Sequence, residues 1–217
     1  ASVDVVMNDA VTGTRKIRML GLDGVYVQNL FEGIPFTGGL GNVLGFDQIP
    51  GPWIESIAVT KGVGSVVNGY ESMTGQINLE FVHPDGPEMT YFDVFGNHRG
   101  RVEANVIRSV QVTDRLSTAL FASGQYFDHS TDENGDGFLD SPRRKGAKVM
   151  NRWKYIGDNH RAQLMGVYTH EERTSGQTDF KGSGYLPEAP HYGFGFDVDQ
   201  WEVLAKNGIL FPNREDR

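Results

Sequence analysis

The stretch WIESIAVTKGVGSVVNGYESMTGQINLEF, Trp53 to Phe81, sets Gly62, Gly64, Gly69 and Gly75, with the basic Lys61, between two apolar runs rich in strand formers. Such a density of glycine fits either a phosphate-cradling loop in a soluble enzyme or a tightly turned segment packed inside something larger. A Walker-type loop needs glycine, then Lys, then Ser or Thr at a helix start. Here the order is reversed, because Thr60 and Lys61 precede Gly62, and GVGSVVNG is not GxGxxG. Nucleotide binding is therefore not expected, and the glycines are read as places that need positive φ or close backbone approach.

Composition narrows the function classes. The chain has 217 residues and a formal net charge of −8, with 28 Asp and Glu against 20 Lys and Arg. A nucleic-acid groove would need a basic face, so nucleic acid is not an expected partner. There is no cysteine, which removes disulfide frameworks and thiolate metal sites. The start, ASVDVVMNDA, lacks the basic region and apolar core of a signal peptide. No run approaches the roughly 20 apolar residues of a membrane helix, which leaves β-barrels open because their strands alternate. The histidines at 83, 98, 129, 160, 170 and 191 show no HxxxH or HExxH spacing, and no GxSxG elbow occurs. No enzymatic activity is expected.

The grammar changes at HPDGPE, 83–88, where two prolines and a glycine break the pattern, so one domain is placed at 1–86 and another at 87–217. In the second, RVEANVIRSVQV puts Val102, Ala104, Val106, Val110 and Val112 opposite Arg101, Glu103, Asn105, Ser109 and Gln111, with only Ile107 and Arg108 out of step. LSTALFASGQYF, AKVMNRWKYI and RAQLMGVYTH alternate likewise, and MTYFDVFGN is a shorter fifth run. A soluble antiparallel sandwich alternates too. The connections favour a membrane barrel: TDR and GDNH are tight, whereas long loops are expected at about 129–145 and 173–217. Tyr126 and Tyr168 fall toward one end of the apolar face and Trp153 and Tyr155 toward the other, as aromatic girdles would.

Written as IxxIxVxKGxxSxxxGxxxxxGxIN, the opening stretch resembles the end of the plug domain of TonB-dependent outer-membrane transporters. The matching positions are Ile54, Ile57, Val59, Lys61, Gly62, Ser65, Gly69, Gly75, Ile77 and Asn78. Upstream, IRMLGLDGVYVQNLFEGIPF is similar to the family's strand pair with its turn at Glu32, Gly33, Ile34 and Pro35, and QIP before Trp53 also fits. Three departures stand out: the family usually has Glu at Ala58, Pro at Val63 and often Tyr at Asn68. Internal plug salt bridges are therefore not carried over through Ala58.

The resemblance implies a mainly β fold: a plugged transmembrane antiparallel β-barrel, of which this chain holds the C-terminal part of the plug and about five of some 22 strands. It implies a Gram-negative outer-membrane location, active uptake of a scarce solute (siderophore, metal chelate, cobalamin, glycan or peptide) and lumen residence for the plug. The implied partners are an inner-membrane TonB-type energy-coupling protein, the lipid bilayer, and a surface lipoprotein or other outer-membrane complex members. A non-transporting outer-membrane scaffold and a secreted calcium-binding β adhesin are the alternatives. By the same resemblance Phe36, Asn42 and Phe46 fall in an apical loop that meets substrate. The aromatic stretch HYGFGFDVDQW, containing Tyr192 and Trp201, fits either a ligand contact from an extracellular loop or a loop packing on itself. Lys61 is read as a charge contact rather than a base. No cofactor is required. One calcium candidate stands out in DENGDGFLD, where Asp132, Asn134, Asp136 and Asp140 recur at EF-hand positions and the Phe138 carbonyl is available. Arg143 occupies the place of the bidentate Glu, so this is no complete EF-hand, and a solvated acidic hairpin loop explains the same residues.

Overall fold

The computed structural model of the chain describes residues 3–9, 13–35, 46, 48–64, 72–180, 182 and 191–211. The chain forms two compact units, Ala1–Val82 and His83–Arg217. Among the described residues regular structure is strand, apart from two single-turn 3-10 segments, Gly24–Tyr26 and Gly51–Trp53.

The first unit contains a hairpin of β1 (Val3–Asp9) and β2 (Thr14–Met19) and a mixed four-stranded sheet. That sheet runs in the order β4 (Ile34–Pro35), β3 (Val27–Phe31), β6 (Gly75–Phe81), β5 (Ile54–Lys61), with β3 and β6 parallel. β6 is central, and Ile77, Leu79 and Phe81 are buried along with Val27, Leu30, Phe31 and Trp53. Two buried strand amides pair with each other: Gln76 Nε2 donates to Gln28 Oε1 at 2.7 Å across the parallel pair.

β3 turns into β4 through Glu32 (φ 54°) and Gly33 (φ 73°). Two consecutive positive φ values give the hairpin geometry whose twist matches the flanking strands. Glu32 accepts this strained position because its carboxylate takes the Phe81 N–H at 2.9 Å, and Gly33 N–H donates to Asn78 Oδ1 at 2.8 Å. A Cβ at Gly33 meets no heavy atom within 4 Å, so Gly33→Ala costs only the left-handed backbone penalty, about 1 kcal/mol. Gly75 is different. A Cβ there falls 2.3 Å from the Thr60 carbonyl oxygen and 2.1 Å from Met19 Sδ. The sulfur can swing away, but the carbonyl belongs to β5 and moves only with the strand. Gly75→Ala should therefore cost about 2 kcal/mol or more. Denaturant midpoints of the two variants check the order; a larger fall for Gly33→Ala contradicts the packing described.

The second unit is one antiparallel sheet in sequence order: β7 (Met89–Gly96), β8 (Val102–Thr113), β9 (Leu116–Phe127), β10 (Arg143–Ile156), β11 (His160–Gly176) and β12 (Gly193–Ile209). The connections at 114–115 and 157–159 are tight, and those at 128–142 and 177–192 are long. The segment before β7 is fastened to β10: Lys154 Nζ lies 2.8 and 2.9 Å from the Asp85 carboxylate, and Arg152 Nη2 lies 3.3 Å from His83 Nδ1. Burial works against ionisation of Asp85, but the Lys154 ammonium outweighs it and holds the carboxyl below its ordinary range.

Two expectations require correction. Residues 173–217 are not one loop, because β11 continues to Gly176 and 193–209 form a further long strand, making six strands in this sheet. Likewise β10 already begins at Arg143, inside the segment expected as loop 129–145. The sequence hides β12 because its alternation changes phase: Asp197 and Asp199 share the exposed face with Trp201 and Val203, so polar and apolar residues swap faces midway along the strand.

Candidate functional site

The alternation of the long sheet has an unusual sense. Register links Phe92, Val106, Ala122, Val149, Tyr168 and Trp201 into one row across all six strands. The neighbouring row is Asp93, Asn105, Ser123, Lys148, Thr169 and Gln200. The apolar row is the exposed one, with Phe92 68% and Trp201 77% exposed, while Asn105 and Thr169 in the polar row are each 3% exposed. A soluble sandwich buries its apolar row and wets its polar one. The opposite arrangement suits an apolar solvent outside and a polar space within.

The polar face carries its strongest charges on β10 and β11. Arg173 is 2% and Glu171 1% exposed, joined by bonds of 2.9 Å from Nε and 2.6 Å from Nη2 to Glu171 Oε1. Arg144 Nε donates to the same oxygen at 3.2 Å, and Arg152 is buried on this face. Charges held out of water in this way are tolerated when paired and hydrogen-bonded. Asn105 Oδ1, Thr169 Oγ1 and Ser175 Oγ, also buried here, have no partner among the described residues. Unsatisfied buried oxygens on a strand face call for water or a polar molecule beside them. Alternation alone puts Asn105 on a polar face, but Glu171, Arg173 and Ser175 did not stand out in the sequence, because their row shows only once register is known.

The sequence-derived candidates scatter. Phe36 and Asn42 lie outside the described residues, as do Ser65 and Gly69. Phe46 meets the buried Phe31 edge-on, ring centroids 6.2 Å apart. Trp201 does not belong to a loop: it lies in β12 on the exposed apolar face, its ring 4.6 Å from that of Tyr168. Tyr192 is exposed, its N–H donates to Gln177 Oε1 at 2.6 Å, and its ring sits 6.4 Å from Phe138. Lys61 is exposed at the end of β5, and Gly62 N–H donates to the Thr74 carbonyl at 2.8 Å. Gly64 N–H reaches Ser72 Oγ at 3.1 Å, where a Cβ would strike that hydroxyl and Gln76.

In the loop at 128–142, Asp132 accepts backbone N–H groups of Gly135 (2.7 Å), Asp136 (3.1 Å) and Gly137 (2.9 Å), while Asp140 accepts that of Glu133 (2.9 Å). Asn134 Nδ2 donates to Asp136 at 2.9 Å. Leu139 N–H bonds the Gly176 carbonyl, and Phe138 forms a bridge with Gln177, so this loop is stitched to the end of β11. Arg143 Nη2 caps the Phe180 carbonyl.

No family model matches the sequence, and no curated protein matches it. Solved structures do. FpvA of P. aeruginosa bound to heterologous pyoverdines superposes with a TM-score of 0.70 over 98% of this chain, at 14% identity. The fold is that of the TonB-dependent outer-membrane receptors. The siderophore receptor PirA of Acinetobacter baumannii (TM-score 0.56, 82% of this chain, 18% identity) and the copper transporter OprC (0.59, 81%, 14%) share it. The chain spans 28% of the length of each of these three receptors. The six strands of the long sheet are thus a portion of the receptor-fold barrel, and among the described residues that sheet is open, from β7 to β12. The similar structures are transport receptors rather than enzymes.

Proposed function

We propose that this chain is part of a TonB-dependent active transporter of a Gram-negative outer membrane, with the first unit serving as plug and the long sheet as barrel wall. The observation that carries the reading is the pair of neighbouring rows: an exposed apolar row from Phe92 to Trp201 beside a sheltered polar row from Asp93 to Gln200. Lipid is the solvent that rewards the first row, and a hydrated passage rewards the second. Tyr168 and Trp201 mark one edge of the apolar band, since the exposed face above them turns to His170, Glu172, Asp197 and Asp199. The cargo is a scarce solute such as a siderophore, metal chelate, cobalamin, glycan or peptide, and the energy comes from an inner-membrane TonB-type protein.

Mass spectrometry of solute copurified with the full-length protein supplies the probe for uptake. Uptake should stop when the energy-coupling protein is deleted; uptake that persists, or a protein that never carries solute, refutes active transport. Protease added to intact cells should spare the Gly64 region, and rapid cleavage there counts against the plug assignment.

Asp132 to Asp140 is proposed as a weak calcium loop. Asp132 already closes the turn by accepting three N–H groups, and a carboxylate retains further lone pairs for a cation. Lacking the final bidentate Glu, the loop should bind calcium at roughly 10⁻⁴ to 10⁻³ M. Calorimetry with millimolar calcium should give heat in the native protein and less in Asp136→Ala; equal heat in both, or none, eliminates the site.

A further inference from the structure

We propose that His170, Asp197 and Asp199, facing outward on β11 and β12, form a binding site for a first-row divalent metal ion of the zinc type. Their ligand atoms all lie within 4.8 Å of one another, and among the described residues no other group of three metal-type ligands is so placed. His170 Nδ1 is 3.2 Å from Asp199 Oδ1 and 3.7 Å from Asp197 Oδ1. Zinc bonds to nitrogen and carboxylate oxygen near 2.0–2.2 Å set tetrahedral ligand–ligand edges at about 3.3–3.5 Å. The two His170–carboxylate separations therefore bracket those of a filled site, and closing the Asp197–Asp199 edge, which is within 4.8 Å, completes it.

The scaffold that presents them is rigid. His170 and Asp199 are direct cross-strand partners, and Asp197 is two residues along the same face of β12. Register, rather than a loop, fixes the spacing, which is what a metal site requires of its support. Supporting groups are also in place. Tyr168 hydroxyl donates to Asp199 Oδ1 at 2.6 Å and orients that carboxylate. The other ring nitrogen of His170 faces Glu172 Oε1 at 3.7 Å, the relation by which a carboxylate fixes the tautomer of a ligating imidazole.

Charge supplies the driving force. Asp197, Asp199 and Glu172 bring three carboxylates around one imidazole. The nearest cation across the ladder is Lys145, opposite Glu172, and it is already bridged to Asp128 at 3.0 Å. A divalent ion relieves that repulsion. One imidazole with two carboxylates, and no thiolate, is a donor set for zinc or its first-row neighbours rather than for a soft ion.

The site is tested by titrating zinc into the folded full-length protein in detergent, in excess magnesium, and following the heat. One zinc should bind per chain. His170→Ala and Asp199→Asn should each weaken binding by about 100-fold, and Tyr168→Phe by about tenfold, the range for supporting partners. Asp158→Asn, in the exposed turn between β10 and β11, should leave zinc affinity unchanged. Unaltered heat-dependent gel migration confirms that each variant is folded. The proposal is overturned if the native protein binds no zinc, if the His170, Asp197 and Asp199 substitutions combined leave affinity intact, or if Asp158→Asn abolishes binding. This outcome is independent of whether the protein transports a solute.

Discussion

Replacing Glu171 by Ala should lower the unfolding free energy of the full-length protein by about 3–5 kcal/mol, because it strips the shared acceptor from guanidinium groups held out of water. Glu171 Oε1 takes two donors from Arg173 and one from Arg144, and Arg173 is only 2% exposed. The loss comes from stranding charge rather than from losing an ion pair of intrinsic worth. Consequently Glu171→Leu combined with Arg173→Met should recover most of it, since a buried pair exchanged for apolar groups is often neutral. Urea midpoints of the two singles and the double form the cycle that measures this coupling. An unchanged midpoint in Glu171→Ala would mean that the polar face is more hydrated than its burial indicates.

Val106→Arg should cost roughly 2 to 4 kcal/mol if that position lies near the bilayer midplane. The native chain already carries Arg108 on the same exposed face, so the argument turns on neighbours. Arg108 stands beside Thr90, whose hydroxyl oxygen accepts from Nη1 at 2.6 Å. Val106 stands between Phe92 and Ala122, whose side chains offer no acceptor. A guanidinium there must reach along the strand toward an interface, with the bilayer thinning around it. The measurement is refolding into bilayers across a denaturant series. The same substitution in detergent should cost far less, and equal losses in both media would show that the penalty is one of packing, not of lipid.

How much of this was legible in the sequence differs from strand to strand. Val102 to Val112 declared β8 by period two alone, and even the out-of-step Ile107 and Arg108 keep the geometry: Ile107 is buried at 1% and Arg108 is exposed. β12 stayed hidden because a strand that leaves the apolar band reverses which residue types face outward, and Asp197 and Asp199 then look like loop residues. The glycine motif includes Gly75, but what crowds that position, a close carbonyl of Thr60, lies in another strand. Cross-strand constellations were out of reach. Glu171 with Arg144, or His170 with Asp199, are separated by 27 and 29 positions and meet only once the register is fixed. The edge-on contact of Phe46 with Phe31, fifteen positions apart, is likewise invisible before the fold is known.

The central claim is that the apolar row of the long sheet faces lipid and the polar row does not. The chain contains no cysteine, so a cysteine introduced at 102–110 is the single thiol within it, and any cysteine elsewhere in the full-length protein is first replaced by serine. Nitroxide labels placed in turn at 102–110 of the full-length protein in bilayers report relative collision with oxygen, enriched in lipid, and with a water-soluble nickel complex. Oxygen should dominate at Val102, Ala104 and Val106 and fall at Glu103, Asn105 and Ser109, with a two-residue period. The same period with the faces exchanged, or no period at all, would contradict the account.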